Sequence, residues 1–238
     1  MGIESNVENS VEFSNRRNTA IVGHVDSGKT TLTEELTKQS LEGRVKTDFS
    51  PVELERGITI YSVPVTSTFS LDSKFYSLTI VDTPGHKEFG FQVETSLDCV
   101  EGAVLLVDMK TGFTDYTATL YKKLKEAELP VIVALNKSDL IIPVSSNVGK
   151  NEIDYQKIIE SIMDGFSIFG AKLGFVQGAE GYNGISGPEA SMIGTKYIHE
   201  NIFGSEVYTN FRMSDLAELQ GIREAGHIPT VFCSGRRQ

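Results

Sequence analysis

The segment GHVDSGKTT, residues 23–31, restricts the fold of this chain more than any other feature of its 238 residues. Its glycines, lysine and threonine match the pattern G-x-x-x-x-G-K-S/T, whose backbone N–H groups turn inward toward phosphate oxygens. The apolar run before it, residues 18–23, predicts a buried strand, and residues 30–39 predict a helix whose positive end attracts phosphate. A glycine-rich turn with the same sequence pattern is the alternative. Such a turn has no need of a strand before it and a helix after it, both of which are predicted here. The sequence therefore predicts a phosphate-binding loop.

Each position of this loop has an expected role. Lys29 would neutralise the β- and γ-phosphates of a nucleotide, and the hydroxyl of Thr30 would be a ligand of Mg²⁺. Glycine at the bends lets the backbone come close to the phosphates. Further nucleotide contacts are expected from the other positions of the segment: Gly23, Asp26, Ser27, Gly28 and Thr31.

The order of apolar runs and amphipathic segments predicts the fold class. Strands are predicted over residues 18–23, 62–69, 75–82, 102–108 and 130–136, and a helix is predicted over residues 116–128. The second and third runs flank a short polar stretch and predict an antiparallel hairpin, in which Pro64 favours the outer strand. Continuous apolar strands separated by helices indicate an α/β fold whose mostly parallel sheet is covered on both faces.

A second motif, DTPGH, ends the strand predicted over residues 75–82. Asp82 is well placed to hold the Mg²⁺ shell through water, and the N–H of Gly85 can approach a γ-phosphate and flip when that phosphate leaves. Alone, such a sequence is more often a simple turn; downstream of a phosphate loop, it indicates nucleotide chemistry. In ERGITI, Thr59 is a second candidate Mg²⁺ ligand, and an ordinary strand start is the alternative.

The motif NKSD, residues 136–139, indicates which base is bound. The carboxylate of Asp139 can accept hydrogen bonds from the N1–H and the exocyclic amine of guanine. Adenine would leave this carboxylate desolvated without a partner, which is strongly unfavourable. Asn136 and Lys137 would brace the loop and the plane of the base. A polar helix cap is the alternative interpretation.

The character of the sequence changes after Leu140. Residues 149–226 contain 12 of the 22 glycines, and a final apolar run follows at residues 229–233. Short helices are predicted at residues 152–163 and 213–225. The predicted organisation is a flexible polar tail at residues 1–17, a nucleotide-binding domain of residues 18–140 and 228–238, and an insertion subdomain at residues 141–227.

Composition excludes several classes of function. The formal net charge of −10 argues against broad electrostatic binding of nucleic acid, although a local patch could still touch a ribonucleoprotein. The only cysteines, Cys99 and Cys233, are too far apart in the chain for a metal motif and are expected to be reduced thiols in the core. No apolar stretch is long enough for a membrane span. A cytosolic protein is expected, and an organelle lumen is not excluded.

Together these motifs resemble those of translational GTPases. GHVDSGKTTLTEEL, ELERGITI, DTPGHKEF and NKSD are similar to the four leading motifs of that family. Within it the chain most resembles elongation factor G, eukaryotic elongation factor 2 and the tetracycline ribosomal-protection proteins. The resemblance is strong over residues 18–140 and weak over residues 141–227, where the insertion is similar to the G′ subdomain of the family. It implies a P-loop NTPase G domain with a G′-like insertion that binds GTP or GDP with Mg²⁺ and hydrolyses GTP.

The resemblance also implies roles for individual residues. His86 would position the attacking water, Val25 and Ile58 would form an apolar gate that restrains it, and Asp26 would help to place a monovalent cation. Where the family has Gly-Ser-Ala after the last strand, this chain has Ser234 and Gly235. Either could present an N–H to the guanine oxygen, and the register is open.

The implied partner is the ribosome, which would also activate hydrolysis. We expect no membrane association, no sequence-specific nucleic-acid binding and a monomer. Because the chain ends soon after the last predicted strand, it is expected to be either a fragment of a longer factor or a reduced GTPase. A nucleotide-responsive binding module with little turnover is the alternative function. A stand-alone signalling GTPase is a third possibility. The segments PGH and RGITI fit such a protein less well than they fit a translational GTPase.

Overall fold

The computed structural model describes residues 15–38, 40–41, 43, 59–71, 74–137, 155–175 and 222–233. They form an α/β fold around a seven-stranded sheet with the strand order β2-β3-β1-β4-β5-β7-β6. The strands are β1 Arg16–Gly23, β2 Val63–Leu71, β3 Lys74–Asp82, β4 Gly102–Asp108, β5 Val131–Asn136, β6 Lys172–Phe175 and β7 His227–Phe232. The helices are α1 Lys29–Thr37, α2 Gly90–Leu97, α3 Asp115–Glu126 and α4 Tyr155–Ser167.

Strand directions agree with the predicted mostly parallel sheet. β1 runs parallel to β3 with Ile21 opposite Asp82, whereas β2 and β3 form the predicted antiparallel hairpin. Strand β7 is parallel to both β5 and β6. Among the described strands, β2, which contains Pro64, pairs only with β3 and lies at the edge of the sheet, as predicted for the outer strand of the hairpin. The predicted α/β fold class is confirmed as well.

Some boundaries differ from the prediction. β1 begins at Arg16, two residues before the predicted start, and α4 continues to Ser167, beyond the predicted end at residue 163. Neither β6 nor α2 was predicted. β6 is only four residues long, and a run this short carries little periodicity. Its Gly174 allows close packing, because a Cβ there would lie 2.6 Å from the Ile222 side chain.

The described chain divides into two compact units. The first contains residues 1–105 and 123–130, and the second contains residues 106–122 and 131–238. The core of the first unit is formed by buried apolar side chains that include Ala20, Ile21, Val22, Ile80, Val93 and Leu105. The core of the second unit includes Leu106, Val107, Leu120, Leu135, Ile159, Ile162 and Phe166.

Helix α4 is held in the second unit by aromatic packing. The ring of Phe166 is fully buried and meets the rings of Phe113 and Tyr121 edge-on, at centroid distances of 4.9 and 5.1 Å. The preceding residue is glycine for a steric reason, since a Cβ on Gly165 would lie 2.3 Å from the Phe113 ring. Edge-to-face pairs of this kind add to the stabilisation from buried area.

The two cysteines differ in their surroundings. Both are free thiols, but Cys99 is exposed, and Cys233 is partly buried. The prediction that both lie in the core is therefore wrong for Cys99, because it sits in the turn that follows α2 instead of on an apolar face. Within the residues described above, no helix is long and apolar enough to cross a membrane.

A buried side chain ties the end of β3 to β1. The Thr83 hydroxyl, which is fully buried, donates a 2.7 Å hydrogen bond to the Ile21 carbonyl. We expect Thr83→Val to lower the free energy of unfolding by about 1–2 kcal/mol, because the isosteric side chain removes the donor from a buried acceptor. Urea unfolding measures this loss. Thr66→Val, which removes a hydroxyl paired with Thr79 on the exposed face, is the control and should change stability by less than about 0.5 kcal/mol. Equal losses in the two variants would contradict the argument.

Candidate nucleotide-binding site

The loop after β1 has a backbone that only particular residues adopt easily. Gly28 precedes α1 with φ of +93°, and Asp26 has φ of +59°, both in the left-handed region. The N–H of Ser27 donates to the His24 carbonyl at 3.2 Å and closes the loop. Because Gly28 has no side chain, the N-cap position makes no side-chain hydrogen bond to the first turn of α1, whose backbone N–H groups are suited to bind an anion.

Lys29 is the first residue of α1 and is nearly buried, with 6% of its surface exposed. Its Nζ donates a 2.9 Å hydrogen bond to the His24 carbonyl. Burial lowers the pKa of Lys29 to about 8, against the opposing attraction of Asp82 and Asp26. A cation that burial disfavours in this way gains from a bound anion, because a phosphate supplies additional negative charge.

Three oxygen-bearing side chains converge next to this lysine. The Thr30 hydroxyl donates to Oδ2 of Asp82 at 2.7 Å and lies 3.0 Å from the hydroxyl of Thr59. Asp82 is fully buried at the end of β3. One carboxylate and two hydroxyls match the hard oxygen donors that Mg²⁺ takes together with nucleotide phosphates. Within the described ranges, no group of three or more His, Cys, Asp or Glu residues could hold a metal.

Gly85 packs tightly against the phosphate loop. A Cβ at this position would lie 2.3 Å from Nζ of Lys29, 2.9 Å from the backbone N of Val25 and 3.0 Å from the carbonyl carbon of His24. Only glycine fits so close to two backbone atoms. The segment after β3 can therefore bring its backbone N–H directly beside the loop.

The side chain of His86 points toward the residues that follow it. Its Nδ1 accepts a 3.3 Å hydrogen bond from the N–H of Glu88 and lies 3.6 Å from Oε2 of the same residue. The ring is 6.0 Å from that of Phe89, and 45% of the side chain is exposed. The remaining predicted loop residues of the first unit vary in exposure: Gly23 and Ser27 are buried, Val25 is partly buried, and Asp26 and Thr31 are exposed.

The second unit contains the predicted base-binding residues Asn136 and Lys137. Asn136 is the last residue of β5 and is 2% exposed. Its backbone carbonyl accepts a 3.0 Å hydrogen bond from the N–H of Met109. The thiol of Cys233 lies 3.6 Å from Oδ1 of Asn136 and donates to it. Nζ of Lys137 donates to Oδ2 of Asp108 at 2.7 Å.

Four predicted site residues lie outside the described residues: Ile58, Asp139, Ser234 and Gly235. Among the residues that were not predicted from the sequence, Asp108 and Cys233 contact the predicted base-binding residues through their side chains. Asp108 ends β4 as Asp82 ends β3, so an acid at a strand end was an available signal. Cys233 has no such signal, since a cysteine after an apolar run is usually a packing residue.

Comparison with known proteins decides the family. The sequence matches the Elongation factor Tu GTP binding domain over residues 14–238. The chain belongs to this family. Guanine nucleotides are therefore the ligand class of the domain, and the sequence-based prediction of a G domain of the translational GTPase type is confirmed.

Two relatives illustrate the similarity. Mitochondrial ribosome-releasing factor 2 of Candida dubliniensis is 38% identical over 140 residues, which cover 55% of this chain and 17% of that protein. Elongation factor 4 of Chlamydia pneumoniae is 40% identical over 136 residues, which cover 54% of this chain and 22% of that protein. The matched part of the chain thus spans about a fifth of the length of these relatives.

Solved structures share the fold. A bacterial selenocysteine-specific elongation factor superposes with a TM-score of 0.51 and 25% identity, over 64% of this chain and 24% of that chain. A protein from Thermus thermophilus reaches a TM-score of 0.60 at 19% identity, over 92% of this chain and 37% of that chain. The second likeness shows a common fold alone.

Proposed function

We propose that this chain binds GTP and GDP and hydrolyses GTP in a Mg²⁺-dependent reaction on the ribosome. One observation carries the proposal. The oxygen atoms of Thr30, Thr59 and Asp82 converge next to the buried cation of Lys29. A nucleoside triphosphate with its metal ion requires two features in its site: a buried ammonium group and a cluster of hard oxygen donors.

Each residue around the phosphates has a part in this proposal. Thr30 and Thr59 would be direct Mg²⁺ ligands, and Asp82 would hold the shell of the ion through water. Mg²⁺ would neutralise charge on the phosphates during transfer. Lys29 would pair with the β- and γ-phosphates. The backbone N–H groups of the loop and of Gly85 would donate to phosphate oxygens, as would the first turn of α1. Contacts with the nucleotide are proposed for Gly23, Asp26, Ser27, Gly28 and Thr31, and a monovalent cation for Asp26.

Hydrolysis requires a positioned water, and we assign this role to His86. In the structure its Nδ1 already accepts a hydrogen bond from Glu88, and the ring is partly exposed. We propose that the imidazole turns toward the nucleotide and orients the water through Nε2, the ring nitrogen that does not contact Glu88. Val25 and Ile58 would restrain this rotation as an apolar gate. Docking on a ribosome would release it, which would make hydrolysis conditional on that partner.

The ribosome as partner is inferred from the relatives, which include a ribosome-releasing factor and elongation factors. The matched region spans about a fifth of the two relatives described above, so the proposal names the ribosome and no particular step of translation. We propose a monomer in the cytoplasm. The proposed organisation keeps the tail at residues 1–17, the nucleotide-binding domain at residues 18–140 and 228–238, and the insertion at residues 141–227.

The proposed base contacts give a direct test. Asn136 and Lys137 would brace the base, Asp139 would select guanine, and Ser234 or Gly235 would donate an N–H to the guanine oxygen. We expect the wild-type chain to bind GTP about 100-fold or more tightly than ATP, because an unpaired buried carboxylate costs several kcal/mol, roughly. Asp139→Asn should shift the preference from guanine to xanthine nucleotides, since its amide presents a donor to the base. Competition against a fluorescent GDP analogue measures both ratios.

The outcomes of this competition separate the possibilities. Unchanged GTP affinity in Asp139→Asn would contradict the assignment of the base contact. Equal affinity of the wild-type chain for GTP and ATP would contradict guanine selection as a whole. Asp164→Asn serves as a matched control, because it makes the same substitution at an exposed position of α4. It should leave the GTP/XTP ratio unchanged.

A further inference from the structure

Lys137 is held at both ends in the structure. Its backbone adopts a left-handed φ of +61° after Asn136, whose carbonyl is anchored by the Met109 N–H. At the other end, Nζ donates to Oδ2 of Asp108 at 2.7 Å. The Lys137 side chain is 28% exposed and that of Asp108 is 10% exposed, so the pair is largely withdrawn from water. A lysine side chain otherwise samples many rotamers, and this contact selects one.

Asp108 is itself a fixed anchor. Its Oδ1 accepts the Lys110 N–H at 2.8 Å, while Oδ2 receives Lys137. Its carbonyl accepts the N–H groups of Thr111 at 3.1 Å and Gly112 at 2.8 Å. The carboxylate thus cannot follow a moving lysine without breaking its own turn. The position of the lysine tip is set by the end of β4.

We propose that Asp108 is a positioning residue for nucleotide binding. It holds the charged tip of Lys137 so that the methylene stem is presented as an apolar surface to the plane of the base. This inference rests on the proposed function, in which Lys137 braces the base. The two parts of the Lys137 side chain then have separate roles. The ammonium group is neutralised by Asp108, and the methylene stem is available for contact with the flat ring of the base. Such a surface favours every purine alike, whereas discrimination among purines comes from other groups.

These separate roles predict how loss of the Asp108 charge changes the affinity for nucleotides. Asp108→Asn keeps the shape of the side chain but removes its charge, so the ion pair is lost and Lys137 is held less firmly in one rotamer. The affinity for GDP should fall about five- to tenfold, as expected for the coupling between two contacting side chains of which only Lys137 meets the base. Affinity for XDP should fall by the same factor, so the GDP/XDP ratio should stay constant. Asp108→Glu should restore part of the lost affinity.

A double-mutant cycle distinguishes positioning from general structural damage. Lys137→Met keeps a linear apolar stem without the charge. If Asp108 acts through Lys137, then adding Asp108→Asn to Lys137→Met should lower GDP affinity no further. Equal losses from Asp108→Asn in both backgrounds would overturn the proposal, because a purely structural role is independent of the lysine. Urea unfolding of each variant supplies the change in stability separately.

Controls separate this inference from the proposed function. Glu94→Gln removes the carboxylate of another lysine–carboxylate pair, that of Glu94 with Lys123, and should leave GDP affinity unchanged. If the wild-type chain binds GDP and Asp108→Asn binds it equally well, only the positioning role is wrong. If the wild-type chain binds no guanine nucleotide, the proposed function itself is wrong.

Discussion

Lys29→Ala is expected to lower the affinity for GTP·Mg²⁺ about 100- to 1000-fold. Lys29 is the buried cation of the phosphate loop, and its Nζ is held by the His24 carbonyl in a site where burial lowers its pKa to about 8. Truncating one partner of a desolvated charge pair costs about 3–4 kcal/mol, and each 1.4 kcal/mol is tenfold in affinity. Isothermal titration of the free chain with GTP in excess Mg²⁺ measures the change.

Lys38→Ala is the matched control for this substitution. Lys38 follows the same helix but forms a partly exposed ion pair with Glu35 at 2.5 Å. Such pairs contribute less than about 1 kcal/mol, and this one is far along the helix from the loop. GTP affinity in Lys38→Ala should stay near that of the wild-type chain. If Lys29→Ala binds GTP as tightly as the wild-type chain does, this loop does not hold the phosphates.

Gly85→Ala is expected to reduce GTP hydrolysis at saturating GTP about 100-fold. The added methyl would lie 2.3 Å from Nζ of Lys29, which can move, but also 2.9 Å from the backbone N of Val25 and 3.0 Å from the carbonyl carbon of His24, which cannot. The segment after β3 must therefore withdraw from the phosphate loop. A displacement of about 1 Å in a site that works by orientation costs about 100-fold in rate. Single-turnover hydrolysis measures it.

Gly90→Ala is the corresponding control. Gly90 begins α2 only five positions later, and a methyl added there would meet nothing closer than Nζ of Lys123 at 3.7 Å, an ordinary contact. Alanine also favours a helix over glycine. Hydrolysis in Gly90→Ala should equal that of the wild-type chain. Equal hydrolysis in Gly85→Ala and the wild-type chain would mean that the close approach of Gly85 has no part in the reaction.

The sequence predicted the parts of the fold that depend on local pattern. Continuous apolar runs such as residues 102–108 became strands because burial on both faces needs apolar side chains at every position. The hairpin was predicted from two strand-like runs, residues 62–69 and 75–82, with a short polar stretch between them, and Pro64 identified its outer strand. β6 was missed because four residues show no periodicity. Cys99 was placed wrongly because it stands beside an apolar run, whereas it lies in the exposed turn that follows α2.

For the candidate site, the sequence predicted residue types but not the contacts between them. Thr30 and Thr59 are 29 positions apart, and no local pattern indicates that their hydroxyls lie 3.0 Å from each other. The contact of Asp108 with Lys137 likewise joins residues that are distant in the sequence. It depends on the pairing of β4 and β5 as neighbours in the sheet. The orientation of His86 could not be predicted, because it depends on a local hydrogen bond with the Glu88 N–H.

The most direct test of a ribosome-activated GTPase is the rate of GTP hydrolysis with and without ribosomes, measured for the wild-type chain and for His86→Ala. We expect slow hydrolysis by the free wild-type chain, a large stimulation by ribosomes, and loss of that stimulation in His86→Ala while GTP binding persists. Tight GTP binding by the wild-type chain with no stimulation by ribosomes would contradict the account. The chain would then be a nucleotide-responsive binding module.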